Sequence, residues 1–252
     1  MNDAELAHRI ADTAGRLLVA LQQSGLFEGK DLGKAGDHAA NAFIMEVLRA
    51  KRPNDAILSE EEKDNPARLG AGRVWIVDPL DGTREYGEAR TDWAVHVALA
   101  VDGRAEIGAV ALPGLPLTLG TGAPPALPEA PAGRLRMLVS RTRPAPEAVA
   151  LAERLDADLL PMGSVGAKAM AVVRGEADIY LHSGGQYEWD SCAPVAVAQA
   201  CGLHVSRING GPLVYNRADP YLPDLLICRK DHADGVLMLM ADLLREPSAA
   251  RR

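Results

Sequence analysis

Apolar positions along the chain recur with two different spacings, and these spacings predict an alternation of helices and strands. Residues 4–24 carry apolar side chains three and four positions apart, which predicts an amphipathic helix ending at Ser24-Gly25. A second stretch with helical spacing follows Gly36-Asp37. The segment from Phe27 to Gly36 between them is polar and rich in glycine, which predicts a loop or a hairpin.

Short apolar runs come next, and their β-branched residues predict strands. Ala56–Leu58 and Trp75–Val77 are two such runs; Ser59 and three glutamates follow the first, and Asp78 directly follows the second. Trp93–Val101 and Glu106–Leu112 flank Asp102-Gly103, a pair that is typical of a tight hairpin turn. We therefore expect a largely antiparallel sheet with carboxylates at the ends of its first strands.

Residues 113–133 are rich in proline and glycine. We interpret them as an edge hairpin followed by a domain boundary near Gly133, giving an α+β domain at 1–133 and an α/β domain at 134–252. The second half alternates strand and helix patterns. Its predicted strands are 135–139, 158–161, 177–181 and 224–228, and its predicted helices are 146–155, 163–173, 189–201 and a last one ending near 244.

Composition narrows the classes of partner. The chain has 27 Lys and Arg against 34 Asp and Glu, a formal net charge of -7, which argues against a nucleic-acid polymer or an acidic membrane as the main partner. No apolar run approaches the length of a membrane span, and the N-terminus lacks the pattern of a secretory signal. The three cysteines show no metal-type pairing, so we expect reduced thiols in a cytoplasmic protein.

The candidate chemistry is concentrated in residues 75–85, where a buried strand leads into Asp78 and Asp81. The following Gly82-Thr83 can open a helix, and the unpaired N–H groups at a helix start suit an anion such as phosphate. Two carboxylates beside an anion site are compatible when a divalent cation lies between them, because hard cations take oxygen ligands. This stretch therefore indicates metal-dependent phosphate-ester chemistry.

Other polar positions have ordinary structural explanations. The acidic triplet at 60–62 is typical of a solvated face. Asp37, Asp190 and Ser164 each precede helical patterns and could be plain N-caps, and Lys168 could be an exposed helix lysine. The acidic run nevertheless ends one predicted strand while Asp78 and Asp81 end the next. Carboxylates at adjacent strand ends can converge on one ion.

Taken together, these stretches resemble the inositol monophosphatase family of Mg²⁺-dependent, lithium-sensitive phosphatases. Leu58–Glu61 matches the family's acidic strand end, Trp75–Thr83 its first signature and Trp189–Gly202 its second. Three motifs in this order and spacing are a specific signal, and the resemblance covers nearly the whole chain. It implies an α+β or α/β fold, the layered αβαβα sandwich of that family, and a homodimer as in many members.

The resemblance also implies roles for individual residues. Two or three Mg²⁺ ions would be held by the carboxylates of Glu60, Asp78, Asp81 and Asp190 and by the Leu80 carbonyl. Asp37 and Thr83, assisted by Glu60, would hold and activate the attacking water. The family usually has threonine where Lys34 stands, three residues before Asp37, which is a departure from its pattern. Carboxylates about 4 Å apart repel by ~4 kcal/mol in a protein-like dielectric, so such a set needs cations.

Within the family, Asp81–Tyr86 is closer to the bisphosphate nucleotidases, of which the bacterial CysQ type is the nearest match. Gly36-Asp37 and Gly184–Asp190 resemble its actinobacterial variety. This implies removal of the 3'-phosphate of adenosine 3',5'-bisphosphate, a by-product of sulfate assimilation, or action on its phosphosulfate. Gly163–Gly166 is closer to the inositol branch, so a broad phosphatase for inositol phosphate or fructose 1,6-bisphosphate stays open, as does a catalytically silent phosphate sensor. Adenine could stack on Tyr187, Tyr86 or Trp189. Substrate contacts are implied at Gly82, Thr83, Arg84, Gly163, Ser164, Lys168, Tyr187 and Asp190.

Overall fold

The computed structural model describes residues 1–129 and 133–245, which form seven α-helices and two five-stranded sheets. The helices are α1 Asp3–Gln23, α2 Gly29–Lys51, α3 Thr83–Gly87, α4 Pro146–Leu155, α5 Val165–Val173, α6 Glu188–Ala200 and α7 Lys230–Arg245. The first sheet has the order β1-β2-β3-β4-β5, formed by Ala56–Ser59, Arg73–Asp81, Ala94–Val101, Arg104–Leu112 and Leu117–Gly120. The second has the order β7-β6-β8-β10-β9, formed by Asp158–Met162, Arg136–Ser140, Ile179–Tyr187, Tyr221–Cys228 and His204–Ser206.

Three hydrophobic clusters hold these elements in five layers. The first joins α1 and α2 to one face of the first sheet. The second fills the space between the sheets, where α5 and α6 lie, and the third joins α4 and α7 to the outer face of the second sheet. The layers therefore run helix, sheet, helix, sheet, helix, which confirms the predicted αβαβα sandwich.

An irregularity in β2 brings its acidic residues to one side of the sheet. Asp78 pairs with His96 of β3, whereas Asp81 pairs with Ala94, so three steps along β2 match two steps along β3. In a regular strand, residues three apart point to opposite faces. The additional residue of this bulge cancels that alternation, so both carboxylates reach the same site.

The prediction of a loop or hairpin from Phe27 to Gly36 is wrong, because α2 already begins at Gly29. Glycine here permits close approach between helices instead of interrupting one. A Cβ atom on Gly33 would lie 2.7 Å from Thr83 Cγ2, and one on Gly36 would lie 2.8 Å from Tyr86 Cε1. Asp37 consequently lies inside α2 and is not an N-cap.

The other local predictions are largely confirmed. Asp102 and Gly103 both have positive φ, as their hairpin requires. β5 pairs with β4 at the edge of the first sheet. The boundary near Gly133 follows residues 130–132, which lie outside the described part of the chain, so the two-domain division stays a prediction. No helix among the described residues is long and apolar enough to span a membrane.

Candidate active site

Acidic side chains from three elements meet at one end of the first sheet. Asp78 and Asp81 lie at the end of β2, and Asp190 lies in the first turn of α6. Carboxylate oxygens of these three residues lie within 4.8 Å of one another. Glu60 directly follows β1, where its amide donates to the Val77 carbonyl at 3.2 Å, and its carboxyl group is within hydrogen-bonding range of Asp78.

Protein donors hold each carboxylate in place. Oδ1 of Asp78 accepts from the Leu80 amide at 3.0 Å. Asp81 accepts from the first amides of α5, with Val165 N at 3.2 Å and Gly166 N at 2.6 Å. Oδ2 of Asp190 accepts from the Tyr187 amide at 2.6 Å, so this residue closes the first turn of α6. Asp190 is therefore the third residue of α6 and not its N-cap, and the hydrogen bond that closes this turn leaves its carboxylate within the acidic cluster.

Burial and mutual repulsion shift the pKa values of this cluster. Burial, followed by the charges of Glu60 and Asp81, raises the pKa of Asp78 well above its usual range. Burial and the charge of Asp81 raise the pKa of Asp190 to about 7. Glu60 is exposed on one side of the site. Its partial burial against the protein and, next, the charge of Asp37 raise the pKa of its carboxyl group to about 7. These carboxylates cannot all ionise at neutral pH without cations.

Asp81 differs from its neighbours. Burial alone would raise its pKa, but the adjacent His96 ring and the hydrogen bond from the Gly166 amide lower it. The His96 Nε2 atom lies 3.2 Å from Asp81 Oδ2. Asp81 is therefore an anion before any ligand arrives, which suits a residue that would anchor a cation.

Asp37 and Thr83 lie beside this cluster on α2 and α3. Burial and the charge of Glu61 raise the pKa of Asp37 to about 7, and the nearby Thr83 hydroxyl acts in the opposite direction. Among the described residues, Oδ1 of Asp37 is buried without a hydrogen-bond partner. The Thr83 hydroxyl donates to the Leu80 carbonyl at 3.1 Å. An orphaned carboxylate oxygen and an adjacent hydroxyl can orient a water molecule.

The donor set fits a hard divalent cation. The clustered ligand atoms are carboxylate oxygens, which suit Mg²⁺, Mn²⁺ or Ca²⁺ better than softer metals. The raised pKa values and the unpaired Asp37 oxygen both show negative potential that the protein itself does not neutralise. The Leu80 carbonyl is adjacent, but here it accepts the Thr83 hydroxyl.

A cavity of about 360 Å³ opens from the cluster towards the second sheet. Gly82 forms one wall with a φ of 90°, a left-handed conformation that favours glycine, and it precedes the first turn of α3. Arg143 and His182 line the other side. Burial and the positive charges of Lys168 and Arg143 help lower the pKa of His182 to about 4. The cavity is thus acidic at the β2 end and positive towards Arg143.

The predicted substrate residues differ in how accessible they are. Arg84 is exposed and pairs with Glu88 at 2.8 Å. Gly163 donates its amide to Asp92 Oδ2 at 2.7 Å, and Ser164 caps α5 by accepting from Ala167 N at 3.0 Å. Both nonetheless line the cavity.

Lys168 is buried in α5, and its Nζ atom donates to the carbonyls of Gly163 and Ser164. The expectation of an exposed helix lysine is therefore wrong, because the ammonium group turns back onto the start of its own helix. Nζ also lies 5.3 Å from the centroid of the Tyr180 ring. Lys168 lines the cavity, so its role towards substrate stays a prediction.

The aromatic candidates for adenine stacking also differ. Tyr86 is fully buried and donates to the Leu18 carbonyl at 2.7 Å, so it is not available to a ligand. Tyr187 is 41% exposed and stacks on Trp189 with ring centroids 4.9 Å apart. Tyr187 is therefore the more accessible of this pair.

Sequence reasoning missed His96, Arg143 and Gln186. His96 interrupts the apolar strand β3, and that interruption was the available signal. Arg143 follows β6 in a segment with no recognisable motif. Gln186 is buried beside the cavity, where its amide nitrogen donates to the Tyr180 hydroxyl at 3.2 Å. Their proximity to the cluster depends on the packing of the two sheets.

The chain is similar in sequence to phosphatases of one known family. A profile of the Inositol monophosphatase family matches residues 9–237. The 3'-phosphoadenosine 5'-phosphate phosphatase of Mycobacterium leprae is 47% identical over 96% of this chain and 95% of that protein. The 3'(2'),5'-bisphosphate nucleotidase CysQ of Escherichia coli is 33% identical over 75% of this chain and 81% of that protein.

Solved structures show the same fold. CysQ from Bacteroides thetaiotaomicron, a bacterial member of the inositol monophosphatase family, superposes with a TM-score of 0.78. The alignment covers 90% of this chain and 97% of that one at 24% identity, so it speaks to fold alone. The family match extends over most of the chain, and a curated relative shares nearly half of its residues. The protein is therefore a member of the inositol monophosphatase family.

Proposed function

We propose that this protein is a Mg²⁺-dependent phosphomonoesterase that removes the 3'-phosphate of adenosine 3',5'-bisphosphate. The observation that carries the proposal is the combination of near full-length identity to a phosphatase of that substrate with a cluster of three carboxylates whose oxygens lie within 4.8 Å. The 33% identity to the CysQ nucleotidase supports the same substrate class.

The proposed metal ligands are Glu60, Asp78, Asp81, Asp190 and the Leu80 carbonyl, holding two or three Mg²⁺ ions. When bound, such ions would offset the charge that develops on the phosphoryl group and make water a better nucleophile at neutral pH. The raised pKa values of the free carboxylates support this assignment, because cations would convert their repulsion into ligation. The Leu80 carbonyl accepts from the Thr83 hydroxyl with one lone pair and has a second lone pair that could bind a cation.

The Thr83 hydroxyl can orient the attacking water, because its oxygen still has lone pairs that can accept from that water. Asp37 is suited to receive its proton, because its buried Oδ1 atom has no hydrogen-bond partner among the described residues and lies on the side of the site next to that hydroxyl. Glu60 is the second proposed acceptor. The backbone amides of Gly82 and Thr83 would hold the phosphate oxygens at the start of α3.

The remainder of the substrate would occupy the cavity between Gly82 and Arg143. A bisphosphate carries a second anionic group, and the positive end of this cavity suits it. Arg84, Arg143 and Lys168 all line the cavity. Ser164, Gly163 and Tyr187 are the further proposed contacts, with Tyr187 exposed enough to offer a ring face to a base.

One alternative has a specific observation in its favour. The Gly163–Gly166 stretch resembles the inositol branch, and Lys168 lies one residue later than the corresponding nucleotidase lysine. A broad phosphatase acting on inositol phosphate or fructose 1,6-bisphosphate is the second candidate. A catalytically silent sensor would be expected to lack a ligand, whereas all the matched carboxylates are present.

The deciding experiment is a matched assay of three substrates with and without Mg²⁺. We expect phosphate release from adenosine 3',5'-bisphosphate to exceed release from inositol 1-phosphate and fructose 1,6-bisphosphate, and to fall on adding Li⁺. Faster turnover of inositol 1-phosphate would establish the broad phosphatase instead. Absence of Mg²⁺-dependent release from all three would support the silent sensor.

We also propose a cytoplasmic location and a homodimer. The three cysteines are free thiols, with Cys192 and Cys228 buried, which suits a reducing compartment. The homodimer rests on the family resemblance alone. Sedimentation of the purified protein would test it directly.

A further inference from the structure

His96 occupies a position where an apolar side chain would be expected. Its neighbours Val95 and Val97 are apolar, and all three residues are fully buried. A buried imidazole is costly unless both ring nitrogens meet suitable groups. The surroundings of the ring therefore indicate why a histidine lies there.

The two ring nitrogens point at two different segments of the acidic site. Nδ1 lies 3.2 Å from the backbone oxygen of Trp189, the residue before Asp190. Nε2 lies 3.2 Å from Oδ2 of Asp81, with a direction that is off the line of a regular hydrogen bond. The ring thus spans the gap between the end of β2 and the start of α6.

The same ring also fits against the start of α5. A methyl group on Gly166 would overlap Nε2 of His96, and it would lie 2.8 Å from the Ala94 Cβ atom. Glycine at 166 leaves room for the imidazole, while the Gly166 amide donates to Asp81 at 2.6 Å. His96 therefore contacts three elements that each supply a group to the site.

We propose that His96 is a positioning residue that fixes the separation of the Asp81 and Asp190 carboxylates, because the ring lies between Asp81, at its Nε2 edge, and the Trp189 carbonyl, at Nδ1. The ring does not line the cavity. It acts through the two carboxylates, and the inference rests on their proposed role as metal ligands. The backbone of His96 is itself fixed in the sheet, since His96 of β3 pairs with Asp78 of β2.

The test compares Mg²⁺ binding, measured by calorimetry and by thermal stabilisation, in a set of variants at position 96. His96→Leu keeps most of the volume and removes both polar ends, so we expect its Mg²⁺ affinity to fall about 10- to 100-fold, the usual effect of losing a group that orients a metal ligand. His96→Gln retains a donor near Nε2 and His96→Asn one near Nδ1. Each is expected to recover part of the affinity.

Val97→Ala is the matched control, because it creates a cavity in the same strand within the hydrophobic cluster next to α1 and α2. It should lower the melting temperature and leave the Mg²⁺ midpoint within about twofold of the wild type. At saturating Mg²⁺, His96→Leu should lower kcat while KM for the nucleotide stays nearly constant.

An unchanged Mg²⁺ affinity in His96→Leu, or an equal loss in His96→Leu and Val97→Ala, overturns the inference while leaving the proposed function intact. Equal losses in the Leu, Gln and Asn variants overturn it too, because the polar ends would then have no role. A wild-type protein that binds no Mg²⁺ overturns the metal assignment itself, and with it this inference.

Discussion

The Nη1 atom of Arg68 donates a 2.8 Å hydrogen bond to Oδ1 of Asn216, a residue 148 positions later in the chain. Arg68 is buried and also pairs with Asp64 at 2.6 Å. The backbone amide of Asn216 donates at 2.6 Å to Oε2 of Glu188, which lies two residues before Asp190. This chain of contacts ties the segment after Glu60 to the beginning of α6.

We expect Arg68→Ala to lower the free energy of unfolding by about 2–4 kcal/mol, because it leaves Asn216 and Asp64 without their charged partner in a partly buried setting. Urea denaturation measures the effect. Arg16→Ala is the control, since its ion pair with Asp12 is exposed and should contribute at most ~1 kcal/mol. A loss no larger than the control's would show that the buried network does not hold the two segments together.

Asp78→Asn should abolish turnover and leave the fold intact. The amide oxygen can still accept from the Leu80 amide, while one charge is removed from a repelling cluster. We therefore expect the metal-free variant to melt at or above the wild-type temperature at pH 8. Circular dichroism and phosphate release measure the two properties. Retained Mg²⁺-dependent activity would refute the proposed site.

The stability of the metal-free protein should fall as pH rises from about 4 to about 8. Asp37, Glu60 and Asp190 each have a folded-state pKa of about 7, above their unfolded values, so the folded state holds more protons between those limits. Stability is therefore greatest below the unfolded pKa and declines as pH passes through the folded one.

Melting temperatures across this pH range, with EDTA and with Mg²⁺, provide the measurement. Mg²⁺ should stabilise strongly at pH 8 and hardly at pH 5, where protons compete for the ligands. Equal stabilisation by Mg²⁺ at both pH values would contradict the carboxylate cluster as the binding site.

Arg143→Ala should raise KM for adenosine 3',5'-bisphosphate about 10-fold, because a charge-assisted contact to the second phosphate is worth at least ~1.4 kcal/mol. Arg143 is exposed at the far end of the cavity, so the fold should be unaffected. Inositol 1-phosphate, with one phosphate, is the internal control and should show less than a twofold change. Equal changes for both substrates would place the second phosphate elsewhere.

Much of the acidic site could be predicted from sequence, because Glu60, Asp78 and Asp81 directly follow apolar runs that form neighbouring strands. Neighbouring strand ends are close in space whatever the rest of the chain does. Asp190 could be assigned to the site only from the signature around Trp189, because its distance from β2 depends on how α6 packs. The bulge that turns Asp78 and Asp81 to one side was implied only by Pro79, which interrupts regular pairing.

Sequence patterns gave a wrong prediction where glycine allows close packing of helices, because glycine is also frequent in loops. Gly33 and Gly36 favoured a loop, yet they allow α2 to lie against Thr83 and Tyr86. Similarly, a lysine in a helix is usually exposed, yet Lys168 is buried because α5 lies between two sheets. Such outcomes depend on tertiary contacts that a window of neighbouring residues does not contain.

The central helical layer has a consequence for how the protein is made. α5 and α6 cover the inner face of the first sheet, including Ile76, Ala98 and Val110, but they are synthesised after all five strands of that sheet. While the ribosome is still translating them, the nascent sheet has a bare apolar surface and three of its four acidic groups, without Asp190. The proposed metal site can therefore be completed only after the C-terminal half has emerged, and a chain terminated near its midpoint would be a substrate for chaperones and proteases.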